Sequence, residues 1–163
     1  MPKHAFILWL ACWDKLTTRY RVLSWGNHIT FSCIFGYIAC ETIEHLFFQC
    51  PFSRKIWMNG LHKCYVFAEL STIEDSINYI TPHPLHGNLK ACILKHLLAA
   101  TVYFCWIERN RRIFNNQPTT EDAINLEIER HIKFKLTFCK MKFKRTSISE
   151  TICNEWRLED ILV

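Results

Sequence analysis

The chain has 163 residues, of which half are apolar and 14% are aromatic, and its formal net charge is +5. This length suits one domain or two small ones, and the apolar content is sufficient for a buried core. Four glycines and five prolines leave little room for a turn-rich β architecture. The nine cysteines are odd in number and scattered, which favours a reduced intracellular protein over a disulfide scaffold.

The N-terminal run 3–16 predicts a helix that is apolar almost all round and therefore largely buried. Its basic start and short apolar stretch are also typical of a signal peptide. The run lacks a small-residue cleavage site, however, and is too short to span a bilayer. Thr17 predicts the N-cap of a second helix over 18–25, which Gly26 would terminate.

Short helices are predicted next, and the segment 81–87, with two prolines and a glycine, is the best linker candidate. The first of these helices is predicted over 42–49. The second begins at Pro51 and runs to residue 61. The third starts at the capping box of Ser71–Glu74 and runs to Ile80. The chain is thereby divided into regions 1–62, 63–87 and 88–163.

Two long helices are predicted after the linker, over 88–114 and from Thr119 or Thr120 to Arg145, and the capping box of Ser147–Glu150 starts a last helix to Trp156. The second long helix has an apolar stripe at helical spacing: Ile124, Ile128, Ile132, Leu136, Cys139 and Phe143. The apolar stretch 97–107 is too short for a membrane span and predicts a buried helix. We expect a mainly α fold.

The window 33–50 carries the strongest chemical signal, because Cys33, His45 and Cys50 have the residue types and clustering of a structural zinc site. His45 lies five residues before Cys50, so both side chains can converge beside a helix end. Gly36 stands where a Cys-x-x-Cys knuckle would have its second thiolate, and Cys40 is the candidate replacement. The alternative is that the three cysteines are buried thiols and His45 is a core histidine.

The sequence around these residues resembles the zinc-binding domain of plant non-LTR retrotransposon reverse transcriptases. The resemblance covers about residues 2–58 and rests on ordered matches, among them Ala5–Ala11, Leu16–Gly26, Glu41–Ser53 and Ile56-Trp57. The segment Tyr103–Phe114 is similar to the region that follows this domain in the same elements. The resemblance implies a non-catalytic zinc-binding module and a chain that is a fragment of a longer reading frame.

The family pattern is Cys-x2-Cys-x8-His-x4-Cys, and the resemblance implies that Cys33, His45 and Cys50 are three of its four ligands. Gly36 falls on the fourth position, as expected in a decaying copy of an element. We therefore expect one zinc ion bound by Cys33, Cys40, His45 and Cys50, more weakly than by a four-ligand family site. The longer loop from Cys33 to Cys40 costs more entropy to close.

Motifs for catalysis are absent from the sequence. There is no Tyr-x-Asp-Asp motif, no nuclease set of carboxylates, no glycine-rich phosphate loop and no Gly-x-Ser-x-Gly. We expect no enzymatic activity and no small-molecule substrate.

A basic segment, residues 130–145, holds seven lysines and arginines and no acid, while the rest of the chain has a slight acidic excess. Aromatic residues lie between these charges, a pattern typical of phosphate contacts combined with base stacking. Its candidate nucleic-acid-binding residues are Arg130, Lys133, Lys135, Lys140, Lys142, Lys144 and Arg145. On one helix, Lys133, Lys140 and Lys144 would act together. The alternative is a solvated outer face.

The sequence thus predicts a helical domain with an inserted zinc knuckle and long C-terminal helices. The leading function is a zinc-binding module associated with RNA or DNA, with no membrane partner, inside the cell and in the nucleus. The rival is a degenerate helical fragment without metal, or a protein-interaction domain.

Overall fold

The structure, a computed structural model, describes residues 2–26, 30–82, 88–115 and 117–163. Helices dominate these ranges, so the predicted mainly α fold is confirmed. In chain order they are α1 (Pro2–Cys12), α2 (Arg19–Ser24), α3 (Pro51–His62), α4 (Ile73–Ile80), α5 (Leu89–Phe114), α6 (Glu121–Phe138) and α7 (Ser147–Trp156). A π-helical turn, His45–Gln49, lies between α2 and α3.

Most of these helices begin at a residue whose side chain accepts a hydrogen bond from the backbone three residues further on, which satisfies an otherwise unpaired N–H group. These N-caps are Thr18, Thr72, Asn88, Thr120 and Thr146. The predicted helix starts are therefore correct to within one residue.

Helix α5 lies at the centre of the fold and contacts α1, α3, α4, α6 and α7. It is long and apolar enough to cross a membrane by length and composition, but 67% of its most apolar stretch is buried inside the fold. The predicted buried helix over 97–107 is part of it.

Helices α3 and α5 approach each other closely at Gly60. A Cβ atom on this glycine would lie 2.5 Å from Cδ1 of Leu97. Such a distance is far inside van der Waals contact, so only glycine fits at this crossing without movement of Leu97.

The predicted linker cannot be compared with the structure in full, since residues 83–87 lie outside the described residues. The buried apolar side chains on both sides of it belong to one core cluster, which includes Ala11, Phe47, Leu97 and Ile161. The division of the chain at this linker stays a prediction.

Helix α1 is less buried than the sequence predicted. Phe6, Trp9 and Trp13 are each more than half exposed, and of the helix only His4 and Ala11 are buried. The helix packs on α5 along one side, where the His4 ring stacks on Tyr103 with centroids 4.3 Å apart. The apolar residues of α1 are spread almost evenly around the helix, so the sequence did not indicate which side faces the core and which side is exposed.

The second long helix was predicted to reach Arg145, and this end is wrong, because α6 ends at Phe138. Lys140 has a left-handed backbone, with φ of 48°. The chain then extends, the Phe143 N–H donates to the Ile161 carbonyl (2.8 Å), and the Val163 N–H donates to the Phe143 carbonyl (2.9 Å). Phe143 is buried, but it lies in this extended segment and not on α6. Its spacing in the sequence therefore fits the helical stripe although the residue is outside the helix.

Candidate metal centre

A short hairpin places Cys33 in the interior. Ser32 and Cys40 form an isolated antiparallel bridge, in which the Cys33 N–H donates to the Ala39 carbonyl at 2.9 Å. Inside the hairpin the Gly36 N–H donates to the Cys33 carbonyl at 3.2 Å, which closes a tight turn. Cys33 is buried, and its side chain faces the start of α3.

The π-helical turn brings His45 and Cys50 to the same side, as their five-residue spacing predicted. The Cys50 N–H donates to the His45 carbonyl at 2.7 Å, which is the hydrogen bond of a π-helical turn. Cys50 then serves as the N-cap residue of α3, with Pro51 in the first turn of that helix.

The structure brings Cys33, His45 and Cys50 together, with their candidate ligand atoms all within 4.8 Å of one another. We call these three residues the metal cluster. The two sulfur atoms are 3.8 Å apart, so the thiols are free and not joined in a disulfide. Tetrahedral zinc with Zn–S bonds of about 2.3 Å requires two sulfurs about 3.8 Å apart. The spacing of the sulfurs therefore suits zinc.

The two thiols differ in acidity. The hydrogen bond from Cys33 lowers the pKa of Cys50, and the N–H groups of Phe52 and Ser53 at the start of α3 stabilise the same thiolate against the effect of burial. The same hydrogen bond and burial raise the pKa of Cys33. A thiolate at a helix N-terminus is a suitable metal ligand.

The surroundings of His45 favour its neutral imidazole, which is the form that binds metal. Burial lowers the pKa of its imidazole, and the nearby Glu41 carboxylate acts in the opposite direction. Its Nε2 atom is buried and has no hydrogen-bond partner in the described part of the chain. Two thiols and an incompletely satisfied imidazole form a donor set that fits zinc.

Cys40, the candidate replacement ligand, is not in the metal cluster. Because Ser32 and Cys40 are paired across the hairpin, their side chains share one face, whereas Cys33 follows Ser32 and points to the other. Cys40 would have to break this pairing to reach the cluster, so its role as a ligand stays a prediction that this conformation does not favour.

A buried ion pair beside the cluster was missed by sequence reasoning. Arg109 of α5 donates to Oε1 of Glu41 at 2.8 Å, and both side chains are almost wholly buried. Arg109 also donates to the Thr17 carbonyl at 3.0 Å, and Glu41 accepts the Arg19 N–H at 2.9 Å and the Ile34 N–H at 3.4 Å. This pair joins the hairpin to α2 and α5.

A second arginine of α5 packs on the hairpin. The Arg112 guanidinium lies over the rings of Phe35 and Phe52, 4.9 and 4.5 Å from their centroids, and these rings stack on each other at 4.4 Å. Glu108, also buried, accepts from Arg112 and from the Thr119 N–H, both at 2.8 Å. The only sequence signal for these contacts of Arg112 and Glu108 was the resemblance of residues 103–114 to the region downstream of the family domain.

The basic segment is not one helical face. Lys133 lies on α6, Lys140 in the left-handed turn and Lys144 in the extended segment, so the predicted shared face of these three residues is wrong. Lys133, Lys140 and Lys142 instead line a groove of about 370 Å³ beside Glu159 and Asp160.

Several bases of the segment have acidic or carbonyl partners. Arg130 pairs with Glu127, Arg145 with Glu150 at 3.1 Å, and Lys142 donates to the Asp160 carbonyl. Lys135 is partly buried at the end of α6. Phe134 and Phe138 were predicted to lie between the charges, and both are largely exposed, with rings stacked at 5.2 Å.

Residues 1–57 match the family described as zinc-binding in reverse transcriptase. The match contains the whole metal cluster and ends in the middle of α3. No curated protein and no solved structure matches the chain. The N-terminal third of the chain is thus similar to a zinc-binding domain and not to the catalytic part of a reverse transcriptase.

Proposed function

We propose that the chain is a non-catalytic zinc-binding module derived from the reverse transcriptase of a plant non-LTR retrotransposon. Cys33, His45 and Cys50 would hold the ion, which would tie the hairpin to the π-helical turn and the start of α3. The family match supports this proposal, and the single observation that carries it is the 3.8 Å separation of two buried sulfurs beside a buried histidine.

The test is zinc stoichiometry of the purified chain, measured by mass spectrometry and by competition with a chromophoric chelator. We expect one zinc per chain, lost in Cys33→Ser and in Cys50→Ser. Cys139→Ser is the matched control, because Cys139 is an exposed free thiol outside the cluster. A parent chain that binds no zinc would support the rival, a degenerate helical fragment or a protein-interaction domain without metal.

The absence of catalysis is part of the same proposal. Polymerases and nucleases hold two metal ions about 4 Å apart on clustered carboxylates. Glu41 and Glu108, the buried acids of the described ranges, are both engaged by arginines. Metal-dependent primer extension or nuclease activity of the purified chain would contradict this part of the proposal.

A nucleic-acid partner is the second part of the proposal, and the exposed Phe134–Phe138 ring stack beside Arg130, Lys133 and Lys135 favours it. Single strands bind to such surfaces by stacking and phosphate contacts. Phe134→Ala with Phe138→Ala should weaken binding to single-stranded RNA or DNA, whereas Lys15→Glu, an exposed charge reversal on the loop after α1, should not. Equal losses in both variants would indicate non-specific attraction to a basic protein. An intracellular, nuclear location is proposed together with this partner.

A further inference from the structure

Position 36 lies in the tight turn beside Cys33, where the Gly36 N–H donates to the Cys33 carbonyl at 3.2 Å. Gly36 is exposed, its φ is +92°, and a Cβ added to it would meet no atom within 4 Å. The two residues that follow, Tyr37 and Ile38, are exposed as well. A side chain at position 36 would therefore extend into open space beside the turn that carries Cys33.

The described residues offer no other protein ligand for a fourth position on the ion. The cluster of candidate ligand atoms contains Cys33, His45 and Cys50 and no fourth Cys, His, Asp or Glu of the described ranges. Cys40 lies on the opposite face of the hairpin. The Glu41 carboxylate already accepts hydrogen bonds from Arg19, Ile34 and Arg109.

We infer that a zinc ion bound by Cys33, His45 and Cys50 has an exchangeable fourth position beside Gly36, and that this position takes a small thiol from solution as a thiolate, with the thiol proton released to the solvent. The inference rests on the proposed zinc site. Zinc in a mixed sulfur and nitrogen site prefers a closed tetrahedral shell, and thiolate is among its favoured ligands. The exposed and unobstructed turn at Gly36 is the side from which a small molecule would approach the ion.

Cobalt(II) substitution measures this directly, because the charge-transfer absorption of cobalt reports the number of bound thiolates. The full chain is loaded with cobalt under a phosphine reductant that contains no thiol, and 2-mercaptoethanol is then titrated in. We expect the thiolate absorption to rise by about half, as the bound thiolates go from two to three.

Gly36→Cys and Gly36→Ala form the matched pair, since both add a Cβ to the same strained backbone and only one adds sulfur. Gly36→Cys should show the three-thiolate spectrum before any thiol is added and should not respond to it, and it should bind zinc more tightly than the parent. Gly36→Ala should respond like the parent. Cys40→Ser should also respond like the parent, because Cys40 is not a ligand in this arrangement.

The failures are distinguishable. A parent chain that binds no cobalt overturns the zinc site itself and this inference with it. A parent that binds cobalt but shows no change on addition of thiol keeps its metal site and overturns the open position. A parent spectrum of three thiolates without added thiol, reduced to two in Cys40→Ser, shows that the hairpin rearranges and that Cys40 closes the shell, which also overturns the open position.

Discussion

The metal cluster and the basic segment differ in what fixes them in place. Cys33, His45 and Cys50 are buried, and the hairpin that carries Cys33 is held by side chains from α2, α3 and α5. The basic segment lies on the surface, and its backbone changes from helix to extended chain at Lys140. Single substitutions should therefore cost much stability in the first region and little in the second.

The largest effect is expected at the ion pair between Glu41 and Arg109. Arg109→Ala leaves the Glu41 carboxylate buried without its counter-ion, which should lower the free energy of unfolding by about 3–5 kcal/mol. Urea denaturation at pH 7 measures it. Arg145→Ala, which breaks the exposed pair with Glu150 in the basic segment, is the control and should cost less than about 1 kcal/mol. Similar losses in both variants would remove the contrast between the two regions.

Acid should weaken the packing of α1 through His4. Burial, followed by the charges of His131, the N-terminus, Lys3 and His96, lowers the pKa of His4 from 6.5 to about 4. Because the folded state binds this proton less well than the unfolded state, its contribution is complete above pH 6.5 and is lost between about pH 6.5 and 4.

The pKa shift of His4 corresponds to a change of about 3 kcal/mol in the free energy of unfolding. His4→Phe keeps the ring stack on Tyr103 and should flatten that part of the stability–pH curve, as followed by thermal unfolding. A variant with the same slope as the parent between pH 6.5 and 4 would assign the acid sensitivity to other groups.

Zinc should stabilise the first region in proportion to the logarithm of its concentration. At a free zinc concentration of about a hundred times Kd, the free energy of unfolding should rise by about 2.7 kcal/mol, and Cys33→Ser should remove this dependence. Chelation of zinc reverses the gain in the parent. An equal gain in Cys33→Ser would place the bound ion outside the metal cluster.

The smallest change in stability is expected in the basic segment. Lys133, Lys140 and Lys144 are exposed, so replacing any one of them by Glu should alter the free energy of unfolding by at most about 0.5 kcal/mol. A variant with all three replaced by Glu should lower the slope of log K against log salt for single-stranded RNA or DNA by about 0.7 for each phosphate that it no longer neutralises. Unchanged binding at every salt concentration would make the segment a solvated surface.

The sequence was most informative where the signal is local. A short helical segment that delivers His45 and Cys50, and the helix that starts at Pro51, follow from spacing and capping within a few residues, although the π-helical form of the first was not predicted. The buried stripe of α6 from Ile124 to Leu136 likewise follows from helical periodicity.

Long-range pairings were not accessible to the same reasoning. The end of α6 depends on the pairing of Phe143 with the C-terminal segment, and the position of Cys40 depends on its bridge to Ser32. The ion pair of Glu41 and Arg109 joins residues that are distant in the chain, and no local pattern marks either as buried. The bridge of Cys40 to Ser32 and the Glu41–Arg109 pair lie in the surroundings of the metal cluster.

The crossing at Gly60 ties the helix that Cys50 begins to the central helix. Since a methyl group at position 60 collides with Leu97, the two positions should vary together in related reading frames. Sequences with alanine at position 60 should carry a smaller residue at position 97. Such a correlated pair would trace the descent of this fold even in copies whose cysteines have mutated away.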